Sequence, residues 1–400
     1  MKKFSFSAVQ AGNLLRFRLF FLPSRGKDEG MRSLIIGHAY MAQDNCAKWR
    51  CLARRGGVEM DIHLPHRWPS WEGVYRARAE KSPRLRIQPI RAIRTGREDQ
   101  YFFAPRFLRS AERRDFDILH VEQGAAAFVY TQALWEYALD AKRPKTCFFT
   151  WINWESPARW PWRLTQQFNF RHSDGAIGGN KAAVDILRRH GFKGRTEVIP
   201  QLGVDEQFYS PGPGGELRER MGLEGTVIGF VGRLTHEKGV MMLLEAAESF
   251  AGKATLLLLG TGELEKDILR WREQHRLRVI HVPAVSHDEV RDYLRAMDML
   301  VLPSYDTPLW REQFGHVLIE AMACEVPVAG SSAGAIPEVI GEAGLVFPEK
   351  SAPALREALE TLIQHPSERV RLGGLGRRRV VENFTHEKIA QRTLEFWRSL

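Results

Sequence analysis

Glu312 and Glu320 stand eight positions apart in EQFGHVLIEAMACEVPVAG (residues 312–330), with a Phe-Gly step between them. Glu312 precedes the apolar run that begins at Val317, so it belongs on a loop. Glu320 belongs inside the short helix that follows. Phe314, Gly315 and His316 then supply the first amide N–H groups of that helix, which have no acceptor within it. A helix start of this kind binds anions, and Gly315 lets a phosphate approach the backbone closely. Acids that hold hydroxyls, beside a helix end that holds phosphate, describe a pocket for a sugar nucleotide.

A second cluster lies upstream in VGRLTHEKGV (231–240), where Arg233 and Lys238 bracket a turn after a strand ending at Gly232. Two cations and a helix N-terminus can offset a diphosphate without a metal. Each charge-assisted hydrogen bond contributes about 1.5–3 kcal/mol. More of this is realised as a departing diphosphate gains charge, which makes such a clamp catalytic. LLLLGTGELE (256–265) reads as strand, glycine turn and helix start. Asp115-Phe116-Asp117 imitates a metal-binding Asp-x-Asp but precedes a strand, so it reads as a strand-entry turn. No phosphate loop, Ser-His-Asp constellation or zinc-ligand spacing is visible.

These residues need strand ends and helix starts to position them. Short apolar runs alternate with amphipathic stretches throughout, which predicts an α/β fold with parallel sheets and crossover helices. Strands are expected over 33–37, 58–64, 118–122, 146–150, 175–178 and 196–200, then over 227–232, 254–260, 279–282, 299–303 and 326–330. Helices are expected over 45–55, 125–139, 181–190, 240–250, 263–275, 287–297 and 317–324. The Pro- and Gly-rich PQLGVDEQFYSPGPGG (200–215) marks a linker between two domains. The predicted division is an N-terminal domain over 31–200, a linker over 201–224, a second domain over 225–384, and a last helix over 385–400 capped by Thr385. Residues 1–30 read as a disordered or mis-assigned extension, with the true start near Met31.

The motifs closely resemble those of retaining GT-B glycosyltransferases of family 4 (glycosyl transferases group 1). That family has Glu, seven residues, Glu, with Phe-Gly inside and Glu-Ala-Met-Ala at the end. It also has a Gly-Arg-Leu loop followed by Glu-Lys-Gly, and a Gly-Gly-Ile-Pro-Glu-Val turn resembled by SSAGAIPEVI (331–340), with Ala335 replacing the second glycine. The resemblance implies two facing Rossmann-like domains with a cleft between them, and a final helix that returns to the first domain. It implies a nucleotide-diphosphate sugar as donor and no cofactor. Arg233 and Lys238 would clamp the diphosphate, Glu320 would hold the ribose, and Glu312 would face the transferred sugar. Phe314, Gly315, His316, Val317, Gly232, Gly262 and Val285 would line the donor. Gly37, Glu122 and Asn153 would face the acceptor or the sugar, with Trp154, Trp160 and Trp162 extending that wall. Glu122 stands where many relatives carry a second histidine. The alternative to an enzyme is a catalytically silent sugar-nucleotide-binding partner in a polysaccharide assembly complex.

Composition fits this reading. Four hundred residues suggest two domains, and 44% hydrophobic with 26% charged residues describes an ordinary globular chain. The sequence shows no apolar run near the roughly 18–20 residues of a membrane span. Cys46, Cys51, Cys147 and Cys324 form no Cys-x-x-Cys pair and read as free thiols in a reducing cytoplasm. The net charge is +10, and between His66 and Arg97 nine Lys or Arg face two Glu, with Trp68, Trp71 and Tyr75 interleaved. This basic loop suggests peripheral attachment at an anionic membrane face, or capture of a lipid-linked saccharide acceptor. No nucleic-acid recognition module accompanies the charge.

Overall fold

The computed structural model describes residues 5–9, 16–20, 30–70, 73–104, 115–137, 143–155 and 160–400. Two α/β domains carry one principal sheet each. The first sheet has eight strands in the spatial order Arg195–Val198, Gly175–Gly178, Lys145–Thr150, Ile118–Val121, Met31–Ile36, Val58–Pro65, Leu85–Ile90 and Glu80–Lys81; only the last is antiparallel to its neighbour. The second has six parallel strands in the order Arg278–Val282, Ala254–Leu259, Thr226–Val231, Met299–Leu302, Val328–Ser331 and Gly344–Phe347. Strands covered by helices on both faces need continuous rather than alternating apolar sequence. ATLLLL at Ala254–Leu259 and MLVL at Met299–Leu302 satisfy this, and every residue in both is buried.

The chain passes between the domains twice, and the two crossings are bonded together. Val204 N–H donates to Phe384 O at 3.0 Å and His386 N–H to Val204 O at 3.2 Å. Thr385 caps the last helix, His386–Arg398, by accepting from Lys388 N–H. That helix buries Ile389, Leu394, Phe396 and Trp397 in the first domain's core. Trp397 stacks on Trp49 at 5.7 Å and donates to His120 Nδ1 at 3.1 Å. The first domain is therefore completed by residues from the far end of the chain.

Several elements depart from the sequence reading. The basic stretch after His66 is not a loop. It forms the antiparallel pair Arg67–Ser70 with Gly73–Arg76, and then Leu85–Ile90 within the large sheet. Trp68 does not face outward there, since it is 7% exposed and stacks on His38 at 4.4 Å. Trp71 lies outside the described residues. The Pro/Gly-rich stretch is followed at once by the helix Gly215–Met221, held by Arg218 on Asp298 at 2.5 Å. The strand Gly344–Phe347 and the helices Ala352–Gln364 and Pro366–Asn383 complete the second domain. Asp117 accepts from Arg32 N–H at 2.9 Å, a bond between the entries of two central strands that fits a strand-entry turn. Of residues 1–30, the described strands Ser5–Val9 and Arg16–Phe20 pair antiparallel. The reading of the remainder of that stretch as disordered falls, except for Gly30, outside the described residues.

Two buried histidines make stability pH-dependent. Burial pushes His63 down to about 3, aided by Arg86, and His120 down to about 4, opposed by Glu122. An unfolded histidine titrates near 6.5. Between those values the unfolded chain binds protons that the folded chain refuses, so stability falls as pH drops below about 6.5. Urea midpoints should decline from about pH 6.5 to about pH 4.5, and His63→Asn should flatten that decline. A midpoint level over this window contradicts the assignment.

Candidate active site

In the second sheet the strand order reverses at Thr226–Val231, which lies between Ala254–Leu259 and Met299–Leu302. Ligands of open parallel sheets occupy the crevice beyond the strand ends at such a point. Gly232 leaves this strand end, and its carbonyl oxygen lies 2.0 Å from where a Cβ on Gly260 would sit. Any side chain at Gly260 would push the two strand ends apart. The turn His236–Lys238 then directs Lys238 back across the crevice.

Lys238 Nζ lies 2.6 Å from Glu312 Oε2 and 4.9 Å from the centre of the Trp310 ring. Ser304, at the end of Met299–Leu302, donates its hydroxyl to the same carboxylate oxygen at 3.1 Å. The Glu312 side chain is only 9% exposed. Its backbone carbonyl accepts from Ala335 N–H at 2.9 Å and from Asn153 Nδ2 at 2.8 Å. Gly334 sits in the left-handed region (φ +50°), and a Cβ there would lie 2.1 Å from that carbonyl. The glycine of SSAGAIPEV is thus required for close contact with Glu312. Arg233 is more open, 54% exposed, and reaches Glu237 at 3.5 Å.

The helix His316–Ala323 starts from Gly315 in the left-handed conformation, with no side chain capping it. Its first amides therefore keep their anion-binding capacity. His316 bridges Glu320 Oε1 at 3.1 Å and Gly203 O at 3.0 Å. Burial opposes charge on both members of the His316–Glu320 pair. Their mutual bond outweighs it, raising His316 and lowering Glu320 from their ordinary values. Phe314 is 7% exposed and packs against Trp151 and Phe384, so its side chain braces the domain interface. Val317 is half-buried beside His316. Gly262 N–H is taken by Glu265 at 2.8 Å. Val285 lies after the strand Arg278–Val282, one residue before the capping box of Ser286 and Glu289.

The first domain's three expected site residues are placed differently. Gly37 is extended, with φ −175°, and a Cβ there would lie 2.9 Å from the Glu122 Cβ. Its missing side chain makes room for Glu122. Glu122 itself is fully buried: Lys48 holds one oxygen at 2.8 Å and Gln201 the other at 2.9 Å. The carboxylate is engaged by this buried ion pair while still lining the cleft at the end of Ile118–Val121. Asn153 is 2% exposed and is spent on Glu312, so it joins the domains instead of lining the acceptor side.

Sequence reasoning missed Ser304, Trp310, Lys48, Gln201 and Asn180. Ser304 alone carried a legible signal, as a hydroxyl one residue beyond a strand-terminating Pro303. Asn180 Nδ2 donates to Gln313 O at 3.0 Å, so two asparagines of the first domain grip consecutive carbonyls of the motif loop. Asn180 also caps the helix Lys181–Arg189, and its loss would cost about 1 kcal/mol besides. Asn153→Ala is the cleaner probe. It should lower kcat by roughly tenfold through a loosened Glu312, with a scattering profile shifted toward a more open cleft. Unchanged kcat and an unchanged profile would remove the latch from the design.

The comparisons agree with this geometry. The model of Glycosyltransferase Family 4 matches residues 50–223 and that of Glycosyl transferases group 1 matches residues 218–379. Alpha-maltose-1-phosphate synthase of Mycolicibacterium smegmatis is 33% identical over 238 residues, covering 54% of this chain and 60% of the relative. The capsular polysaccharide biosynthesis glycosyltransferase CapM of Staphylococcus aureus is 32% identical over 169 residues, covering 41% of this chain and 43% of the relative. The chain thus spans 43% to 60% of the length of these relatives. Anabaena HepE in complex with UDP superposes with a TM-score of 0.67 at 16% identity, covering 93% of this chain and all of that one. With two facing α/β domains, parallel sheets, and the Glycosyltransferase Family 4 and Glycosyl transferases group 1 models together matching residues 50–379, this chain belongs to the GT-B glycosyltransferases.

Proposed function

We propose that this protein moves a hexose from a nucleotide-diphosphate sugar to a saccharide or lipid-linked acceptor, with retention of anomeric configuration and without a metal ion. The observation that carries this reading is the Lys238–Glu312 pair, set before the uncapped helix start at Gly315. The diphosphate takes the amides of that start together with Lys238 and Arg233. Lys238 is then shared with phosphate, while Ser304 keeps Glu312 in place. Glu312 favours the positive charge that develops at the anomeric carbon. The bond from that carbon to the diphosphate oxygen breaks as the acceptor oxygen enters on the same face. The acceptor proton passes to the departing diphosphate oxygen. Glu320 holds the ribose beside His316. UDP in the HepE complex supports a nucleotide diphosphate in the corresponding fold, and the CapM likeness supports a role in surface polysaccharide synthesis.

No helix among the described residues is long and apolar enough to cross a membrane. The exposed Arg67, Val74, Tyr75, Arg76 and Arg78 support peripheral attachment at the anionic inner face. A panel of nucleotide sugars, incubated with EDTA and with or without mixed mono- and oligosaccharide acceptors, tests the activity. Acceptor-dependent nucleotide release that persists in EDTA is the expected result. Tight nucleotide binding without turnover over hours would favour the silent partner instead.

A further inference from the structure

Beside the Glu312 loop, the first domain holds a cleft of about 900 Å3, opening at the C-terminal ends of Met31–Ile36, Ile118–Val121 and Lys145–Thr150. Gln313 of the motif loop also lines it, so whatever enters lies next to the reacting centre. Its polar groups are held in fixed positions. The His38 ring is stacked on Trp68, meets Gln123 through Nδ1, and has Nε2 3.5 Å from Glu98. Asp99 accepts from Trp162 Nε1 at 2.8 Å, and Trp162 in turn stacks on Phe128 at 5.7 Å. Trp154, half-buried, and Trp160, which is 80% exposed, line the same cleft.

Two features of this cleft bear on what fits it. An indole left so open beside fixed hydroxyl partners is a surface that gains from being covered. A pyranose ring presents C–H faces to the negative face of an aromatic ring and hydroxyls at its edge. The second feature is charge. Among the described lining residues the ionisable groups are Glu98, Asp99, Glu122, His38 and His190, with no Lys or Arg. Glu122 is already neutralised by Lys48. A phosphate entering here would meet two carboxylates, in contrast to the donor half with Arg233 and Lys238.

We propose that this cleft selects an acceptor whose entering end is an uncharged sugar ring, stacked on Trp160 and Trp154 and bonded through its hydroxyls to His38, Gln123 and Asp99, and that it rejects a phosphorylated end. The inference rests on the glycosyl-transfer reading above and narrows its acceptor. A lipid diphosphate carrier would have to keep its charge beyond the cleft mouth, separated from the reacting hydroxyl by neutral sugar. The related maltose-1-phosphate synthase, by its name, makes a phosphorylated product. This chain would differ from it at the acceptor.

An array of immobilised neutral saccharides and their phosphorylated counterparts, probed with the full chain, tests the proposal. Neutral glycans should be retained and their phosphorylated counterparts should not. Trp160→Ala should weaken retention by about tenfold. The pair Glu98→Lys and Asp99→Lys should shift retention toward the phosphorylated probes. Preference of the wild type for phosphorylated probes, retention of no neutral glycan, or full retention by Trp160→Ala would each overturn it. Calorimetric titration of the same samples with UDP and GDP separates the two levels of the argument. Nucleotide binding with a reversed acceptor preference sinks this inference alone, whereas absent nucleotide binding sinks the functional reading beneath it.

Discussion

Lys238→Ala is expected to lower kcat by roughly 10²–10³-fold while the protein remains folded, because it removes one preorganised cation from a leaving group that gains charge. The ammonium lies 2.6 Å from Glu312 and is 15% exposed, so it is neither buried structure nor a mobile surface charge. Its loss also leaves the Glu312 carboxylate with Ser304 as its remaining side-chain partner, which should reduce thermal stability modestly. Arg233→Ala should cost less, since Arg233 is 54% exposed and its bond to Glu237 is long. Steady-state rates with a competent donor, paired with thermal melts, separate these effects. A Lys238→Ala protein with normal turnover would falsify the diphosphate clamp.

Glu312→Gln should separate chemistry from binding. The substitution keeps the size of the side chain and an oxygen for Ser304 and Lys238, but removes the negative charge. We expect kcat to fall by roughly 10²-fold, the cost of removing one electrostatic stabiliser from a developing charge. Donor affinity should hold steady or tighten, because Lys238 no longer divides its charge between carboxylate and phosphate. Calorimetry on the donor and single-turnover rates measure the two quantities independently. Equal losses in both would make Glu312 a binding residue and leave the electrostatic role without support.

Much of the second domain's cluster was legible in the sequence because its positions are set locally. EQFGHVLIE places a loop acid, a glycine cap and a helix acid by spacing alone, and the helix His316–Ala323 begins where that spacing predicts. Strands such as Ala254–Leu259 were equally legible, since a strand buried on both faces must be apolar throughout. The first domain's site residues were not. Glu122 at a strand end reads as a substrate contact until Lys48, 74 residues away, is found buried against it at 2.8 Å. Nothing in the helix Ala47–Arg55 marks Lys48 as buried, because lysine is ordinarily a surface residue. Asn153 likewise meets Glu312 across 159 residues, through a domain contact that no periodicity encodes.

The sequence by itself determined the two-domain α/β order, the glycine-started helix His316–Ala323 and the two cations in the turn beyond Thr226–Val231. Each of these follows from short-range spacing and the need to bury apolar strands. Tertiary structure alone decided which polar groups remain free for a ligand. Lys48 and Gln201 occupy Glu122, and Glu312 occupies Asn153. Trp160 is left 80% exposed beside the cleft, an openness that its sequence context does not encode. The physical reason is that a buried polar group takes whatever partner the packing brings within hydrogen-bond reach, and that partner is chosen by chain segments distant in sequence.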